Sequence, residues 1–258
     1  YPEFEHRTDV AAHAEWRDVE TALIATKRAS ALAKEHSHRL HVLHLSSGIE
    51  ADWLASNKGD LITTEVLPQH LTFDENDVSN RGVRLKMNPP IRYAEDKEIL
   101  WRRLKDGTID CIATDHAPHT LESKALGFPR APSGMPGVET SLPTMLTHAA
   151  NGICSISDVA RWMCEAPARI YGMKGKGKLE VGFDADLVLV DMENSRIIRD
   201  SDAWTRVGWT PLAGMSLVGW PIYTIVDGQI VHSRQRGGEM RGVAVAAPGS
   251  AGRPLIFE

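Results

Sequence analysis

The sequence predicts an α/β fold, and three features of its 258 residues predict it. Helical patterns alternate with short apolar runs of strand length up to about residue 114. These runs show little polar alternation, which is typical of parallel strands covered on both faces. From about residue 176 the pattern changes to short strands punctuated by glycine, which predicts a second, β-rich unit.

The helices of the first region follow the 3.6-residue period of an amphipathic helix. The clearest are residues 15–35, which are rich in Ala and Leu, and residues 94–106, which end at Gly107. Strands are predicted where a continuous apolar run has strand length. The complete set is helices at 15–35, 48–57, 94–106, 139–150 and 156–172, and strands at 39–45, 60–66 and 109–114.

The β-rich unit covers residues 176–258 and is predicted to be half of a small sandwich or barrel. Its strands are predicted at 185–191, 222–228 and 229–233. The pair Asp227-Gly228 between two apolar runs predicts a hairpin, because both residue types tolerate the positive φ of a tight turn. Gly237 to Pro254 is rich in Gly, Ala and Pro, which predicts a surface loop.

Composition and charge exclude several classes of protein. With 42% apolar residues, 24% charged residues and a net charge of −5, the chain is predicted to bury a globular core. It has neither the basic stripe of a nucleic-acid-binding protein nor a run of about 18 apolar residues to span a membrane. Cys111, Cys154 and Cys164 are too widely spaced for a CxxC metal site or a disulfide framework, which favours a reducing, cytoplasmic setting.

The motif ATDHAPHT, residues 113–120, places an acid and two imidazoles at the carboxyl end of a predicted buried strand. In parallel α/β folds this end faces the active site. Asp115 there can bind a metal ion and can move a proton to or from water. The alternative is structural, with Asp115 capping the following turn and His116 and His119 solvated.

The other histidines are weaker candidates for a site. His44 in HVLHLSS also ends a predicted strand, so it is either a metal ligand or a core residue with satisfied hydrogen bonds. His41, three positions earlier, is predicted to point to the opposite face of the strand. The H-x-H pair at 36–38 and His13 are predicted to lie in turns rather than to bind metal.

Two loops are candidates for ligand binding. In KMNPPIR, residues 86–92, the prolines fix the backbone, so Asn88 is either held rigidly for binding or part of a helix-entry loop. In APSGMPGVET, residues 131–140, Gly134 and Gly137 let the backbone approach a flat ligand closely. No GxGxxG or P-loop motif occurs, which removes the usual nucleotide-binding interpretations.

Several motifs, taken together and in order, resemble those of dihydroorotases. They are HVLHLSS, EVLPQHLTF, KMNPPIR, DGTIDCIATDHAPHT, PSGMPGVETSLP and GFDADLVLVD. Dihydroorotases are members of the amidohydrolase superfamily, in the branch shared with hydantoinases and allantoinases, and TDHAPH is the motif that distinguishes them. The resemblance implies the C-terminal part of a metal-dependent (β/α)8 TIM barrel at residues 1–175, then a small β-sandwich segment and tail at residues 176–258.

The resemblance also implies roles for particular residues. His44 would be a metal ligand at the sixth barrel strand, and Asp115 would be both a metal ligand and the catalytic base and acid at the eighth. The implied cofactor is zinc, with two ions in the intact site. The implied substrate-binding groups are Asn88 for the pyrimidine ring, His119 for the substrate carboxylate, and the backbone of Pro136 and Gly137 for the far edge of the ring.

The implied reaction is the reversible interconversion of (S)-dihydroorotate and N-carbamoyl-L-aspartate in pyrimidine biosynthesis. Two alternatives stay open. One is a hydantoinase or allantoinase, and the other is a catalytically inactive dihydroorotase-like chain that binds a partner such as aspartate transcarbamoylase. A homodimer is also compatible with the resemblance.

Some motifs of the family have no match in the sequence. They are the first-strand H-x-H-x-R, the fourth-strand carboxylate that bridges the metals, and the fifth-strand histidine. A complete barrel also needs about 250 residues, whereas only about 175 precede the β-rich unit. The chain, which begins with Tyr1, is therefore expected to start after the fifth strand and to lack a full metal site by itself.

Overall fold

The computed structural model describes Phe4, residues 6–234, residues 243–244, Gly252 and residues 255–257. The chain divides into two compact units. All the predicted site residues lie in the first unit. The first unit consists of Tyr1–Val138 with Trp209–Pro211, and the second of Glu139–Gly208 with Leu212–Glu258.

Helices and strands alternate in the first unit. Its helices are α1 (Ala12–Trp16), α2 (Val19–Glu35), α3 (Gly48–Asn57), α4 (Pro68–Thr72), α5 (Glu75–Arg81), α6 (Ala94–Lys105) and α7 (Leu121–Lys124), with a 3₁₀ turn at Gly82–Leu85. Its strands are β1 (Leu40–Leu45), β2 (Ile62–Val66) and β3 (Cys111–Ile112). The helix predicted at 15–35 is broken in two, because Asp18 accepts a hydrogen bond from the backbone N–H of Thr21 at 2.7 Å and starts a new helix.

The three strands form one parallel sheet in the order β1-β2-β3. Leu45, Ile62 and Val66 are 0–1% exposed, so the sheet carries part of the core of this unit. The predicted α/β class is thereby confirmed. A closed barrel has eight strands, and the parallel sheet of the described residues has three, so the partial barrel stays a prediction.

Helices α3 and α6 pack closely because Gly48 carries no side chain. A Cβ at Gly48 would lie 2.6 Å from Cδ1 of Ile99 in α6. The backbone N–H of Gly48 also donates to Oδ1 of Asp96 at 2.6 Å, which satisfies a donor in the first turn of α3. Leu54 of α3 and Leu104 of α6 are both 0% exposed, so each helix buries its apolar face.

The second unit combines helices with antiparallel strands. Its helices are α8 (Ser141–Ala150), α9 (Ile156–Ala160) and α10 (Ala166–Ile170), with a π-helical turn (Arg161–Glu165) between α9 and α10 and a 3₁₀ turn at Asp200–Asp202. Its strands are β4 (Leu187–Asp191), β5 (Arg196–Ile197), β6 (Ser216–Leu217), β7 (Trp220–Val226), β8 (Gln229–Ser233) and β9 (Val243–Ala244). One antiparallel sheet has the order β4-β7-β8-β9, and β5 pairs with β6.

The predicted hairpin joins β7 and β8. Asp227 and Gly228 both have positive φ, 50° and 77°, as the tight turn requires. The sandwich and the boundary at residues 175/176 stay predictions. The loop predicted at Gly237–Pro254 lies mostly outside the described residues.

None of the helices in the described part of the chain combines the length and the apolar character needed to cross a lipid bilayer.

Leu104→Ala is expected to lower the free energy of unfolding by about 2–5 kcal/mol, because it leaves a cavity beneath α6. Leu32→Ala is the matched control, since Leu32 in α2 is 48% exposed and its loss should cost no more than about 0.5 kcal/mol. Urea unfolding of the two variants measures both values. Equal effects would contradict the packing described for α6.

Candidate active site

Two of the predicted site residues, His44 and Asp115, lie at the same edge of the parallel sheet. His44 lies near the end of β1, residues 68–70 follow β2, and Asp115 follows β3. Parallel strands carry their carboxyl ends to the same edge of a sheet. Residues that are far apart in the sequence therefore become neighbours there.

His44 and Asp115 share an unusual backbone conformation. Their φ angles are 35° and 41°, in the left-handed region that costs a non-glycine residue on the order of 1 kcal/mol or more. Among the described residues, the other non-glycine positions with positive φ are Ser37 and Asp227, which lie in turns. Strained backbone outside turns is concentrated at functional sites. The strain therefore supports a functional role for both residues.

A β-bulge in β1 sets the position of His44. The register shifts between Val42 and Leu45, so two residues of β1 stand opposite the single residue Glu65 of β2. The backbone N–H of His44 donates to Oε1 of Glu65 at 3.3 Å, and Oε2 of Glu65 lies 3.0 Å from Nε2 of His41. Strand alternation predicts His41 on the opposite face from His44, but the bulge interrupts the alternation. The ring of His41 and the amide of His44 thus contact one carboxylate.

The side chain of Asn88 is held by His13. Nε2 of His13 lies 2.9 Å from Oδ1 of Asn88 and 3.1 Å from the carbonyl oxygen of Met87. Because both neighbours are acceptors, Nε2 carries the proton. Nδ1 is buried without a partner, and burial, followed by the charge of Lys86, lowers the pKa of His13 to about 4. The neutral ring holds Asn88, a role that the position of His13 at a helix start does not reveal.

His70 supports the same loop from the end of β2. Its Nε2 donates to the carbonyl oxygen of Pro89 at 3.1 Å, and its Nδ1 is buried without a partner. Burial lowers the pKa of His70 to about 3, although the hydrogen bond to Pro89 acts in the opposite direction. Two neutral histidines, His13 and His70, therefore fix the backbone on both sides of Asn88.

The loop at residues 131–137 lies directly against the loop of the ATDHAPHT motif. Nε2 of His119 donates to the carbonyl oxygen of Ser133 at 3.2 Å. A Cβ at Gly134 would lie 2.5 Å from the carbonyl oxygen of Ala117, so only glycine fits there. At Gly137 a Cβ would lie 2.6 Å from Nε2 of Gln69.

His116 orders the end of this loop. Its Nδ1 accepts hydrogen bonds from the backbone N–H groups of Gly137 and Val138, at 3.1 and 3.2 Å. An accepting Nδ1 requires the proton on Nε2 in the neutral ring. The structural alternative predicts that the histidines of the motif are merely solvated. His116 is exposed, but because it accepts these two hydrogen bonds, that alternative does not describe it.

Two buried lysines hold the loops together, and the sequence gives no local signal for either. Nζ of Lys124 donates to the carbonyl oxygens of Lys86 and Pro132, at 2.7 and 3.0 Å, and Nζ of Lys86 donates to those of Pro129 and Ala131. Lys124 is 1% exposed. Burial, followed by the charge of Lys86, lowers the pKa of Lys124 to about 7. The loops thus depend on two buried amino groups that donate to neutral carbonyl oxygens.

Two residues of the chain fit the metal that is predicted for this edge. His44 offers an imidazole nitrogen and Asp115 a carboxylate oxygen, and zinc accepts both. A catalytic zinc ion normally takes three protein ligands, so these two supply part of a set. Separately, the possible ligand atoms of His41, Glu65 and Cys111 lie within 4.8 Å of one another, although the sequence predicts none of these residues as a ligand.

Burying the amino group of Lys124 lowers the free energy of unfolding by an amount that depends on pH, and Lys124→Met is expected to remove this dependence. The pKa of Lys124 is about 7 in the folded protein, against an ordinary lysine value of 10.5 in the unfolded chain. Between these values the unfolded state binds more protons, so the stability of the wild type relative to the variant rises with pH, by at most about 1.4 kcal/mol per pH unit. Below pH 7 the difference is constant.

Urea unfolding of the wild type and of Lys124→Met, at several pH values on both sides of pH 7, measures this difference. Lys105→Met is the control, because the residue Lys105 is exposed and its replacement should shift stability equally at every pH. A pH-independent difference between the wild type and Lys124→Met would contradict the assignment.

Comparison with known proteins gives matches over most of the chain. A family model described as "Amidohydrolase family" matches residues 4–231. Dihydroorotases from Anoxybacillus flavithermus and Halobacterium salinarum are each 39% identical to the chain, which aligns over 80% and 87% of its length. These alignments cover 49% and 52% of the two dihydroorotases, so the chain spans about half the length of the curated relatives it matches.

The fold matches solved structures as well. An L-hydantoinase (dihydropyrimidinase) from Arthrobacter aurescens superposes with a TM-score of 0.88 at 33% identity, covering 98% of this chain and 56% of that one. A dihydropyrimidinase from Brevibacillus agri gives a TM-score of 0.84 at 28% identity.

Proposed function

The chain belongs to the amidohydrolase family, and on that premise we propose that its function is that of a dihydroorotase. The reaction is the reversible ring opening of (S)-dihydroorotate to N-carbamoyl-L-aspartate, in cytoplasmic pyrimidine biosynthesis. The observation that carries the proposal is the meeting of three loops at one sheet edge. The loop of Gly134 is bonded to the loop of Asn88 through the Lys86 carbonyl oxygen, at 3.0 Å, and to His119 through Ser133.

Asp115 is proposed to move the proton. Asp115 follows β3 and is exposed, and its backbone has a strained, positive φ angle. In ring opening, Asp115 takes a proton from the attacking water and delivers it to the amide nitrogen as the C–N bond breaks. In ring closure the same carboxyl group carries the proton in the opposite direction.

Three groups are proposed to bind the substrate. His119 already donates from Nε2 to Ser133, so Nδ1 is the nitrogen left for the substrate carboxylate, and a proton there makes a charge-assisted hydrogen bond. Asn88, held by His13, bonds the ring amide. The backbone of Pro136 and Gly137, both buried, lines the far edge of the flat ring.

Zinc is the proposed cofactor, with two ions in the complete site. His44 and Asp115 would each supply one ligand atom, and the resemblance assigns the remaining ligands to motifs that this sequence does not contain. When bound, zinc lowers the pKa of a coordinated water and polarises the amide carbonyl.

A hydantoinase is the second candidate, favoured by the structural similarity to an L-hydantoinase. The two candidates differ in the substrate carboxylate, which dihydroorotate carries and hydantoin does not. An inactive chain that binds aspartate transcarbamoylase stays a prediction, as does a homodimer. The assay below distinguishes the dihydroorotase from the hydantoinase and from the inactive chain.

In the full-length protein, Asp115→Ala is expected to lower turnover of dihydroorotate by at least about 100-fold, because proton transfer by a positioned group contributes about 10²–10⁴ in rate. Asp60→Ala, at an exposed aspartate before β2, should keep normal turnover. Circular dichroism verifies that both variants fold. Near-normal turnover in Asp115→Ala would rule out the assigned role.

His119→Asn is expected to raise KM for dihydroorotate by about 10- to 100-fold, because a hydrogen bond to a charged group contributes about 1.5–3 kcal/mol. Steady-state kinetics on dihydroorotate and hydantoin tests this and the substrate class together. Wild-type turnover of hydantoin alone would support the second candidate, and turnover of neither by the metal-loaded protein would support the inactive one.

A further inference from the structure

We propose that His41, Glu65 and Cys111 form a binding site for a thiophilic divalent cation of the zinc class. The site uses none of the residues proposed to hold the catalytic metal, which are His44 and Asp115. It therefore does not rest on the proposed function, and it stands on the geometry of three neighbouring strands.

The sheet register brings the three side chains together on one face. His41 of β1 pairs with Thr63 of β2, and Glu65 of β2 pairs with Cys111 of β3. Thr63 and Glu65 are two residues apart on one strand, so they share a face. The possible ligand atoms of the three residues lie within 4.8 Å of one another, and Nε2 of His41 is 3.0 Å from Oε2 of Glu65.

The second ring nitrogen of His41 and the second carboxylate oxygen of Glu65 already have hydrogen-bond partners. Nδ1 of His41 lies 2.7 Å from Oγ1 of Thr63, and Oε1 of Glu65 accepts the N–H of His44. Metal-ligating histidines typically donate their second ring N–H to an oxygen, and ligating carboxylates are themselves hydrogen-bonded. Nε2 of His41 and Oε2 of Glu65 face each other 3.0 Å apart, so both can converge on a cation while Nδ1–H of His41 donates to Thr63.

The donor set selects the class of cation. One nitrogen, one oxygen and one sulfur suit zinc, whereas magnesium and calcium require oxygen ligands. Cys111 is buried, and its thiol points at the carbonyl oxygen of Thr64, 3.9 Å away. On binding, the thiol loses its proton to solvent, and the thiolate with the Glu65 carboxylate balances the two positive charges of the ion.

Cobalt(II) alone is the probe, because a cobalt–thiolate bond gives an intense charge-transfer absorption that nitrogen and oxygen ligands do not give. The full-length protein is stripped of metal with a chelator and titrated with cobalt chloride. The wild type is expected to show this absorption, and its intensity should saturate at the value of one thiolate-bound cobalt ion per chain. Cys111→Ser should lose it, and Thr63→Val should weaken cobalt binding by about 10-fold or more.

Two variants serve as controls for this titration. Cys164→Ser changes an exposed cysteine outside the site, and Asp115→Ala removes a ligand of the proposed catalytic metal, so both should keep the absorption. Absence of the absorption in the wild type would overturn the proposal whether or not any variant folds. Its persistence in Cys111→Ser would overturn it equally, and circular dichroism of that variant shows that a loss is not caused by unfolding.

Discussion

The parallel register of β1, β2 and β3 is the constraint on which the whole site depends. Neighbouring strands lie about 4.8 Å apart, so side chains on paired residues meet across the sheet. Glu65 occupies the middle strand, and its carboxylate therefore reaches the ring of His41 and, through the bulge, the backbone amide of His44. Both proposed metal sites, one at the strand ends and one on the sheet face, follow from this single register.

Beyond the strand ends the loops have no sheet partners for their backbone groups, and buried polar side chains take that place. Buried carbonyl oxygens must be paired, and Lys124 and Lys86 pair several of them at once. His13 and His70 act similarly as neutral donors. The cost of burying these groups appears as lowered pKa values, and the result is a set of loops held close to the exposed Asp115.

The sequence predicts the long elements well, because periodicity is a local property. The helix predicted at 94–106 corresponds to α6, and the strands predicted at 39–45 and 60–66 correspond to β1 and β2. The short helices α4 and α7 have too few residues to show a period. The break at Asp18 depends on a capping hydrogen bond that competes with the long amphipathic pattern.

For the site, residue types and their order in the chain were sufficient to single out His44, Asn88, Asp115 and His119 and to indicate the amidohydrolase family. They were not sufficient to identify His13, Glu65 or Lys124 as supports, because each acts on a partner at least eight residues away, and most on partners much further along the chain. The bulge at His44 could not be predicted from the sequence either, because it exists only in the pairing of β1 with β2. The sequence by itself thus determined the α/β class and the family, and it predicts the reactive groups, because all three depend on local pattern and chemistry. The tertiary structure decided which buried groups orient them, because burial and hydrogen-bond partners are set only when distant segments pack.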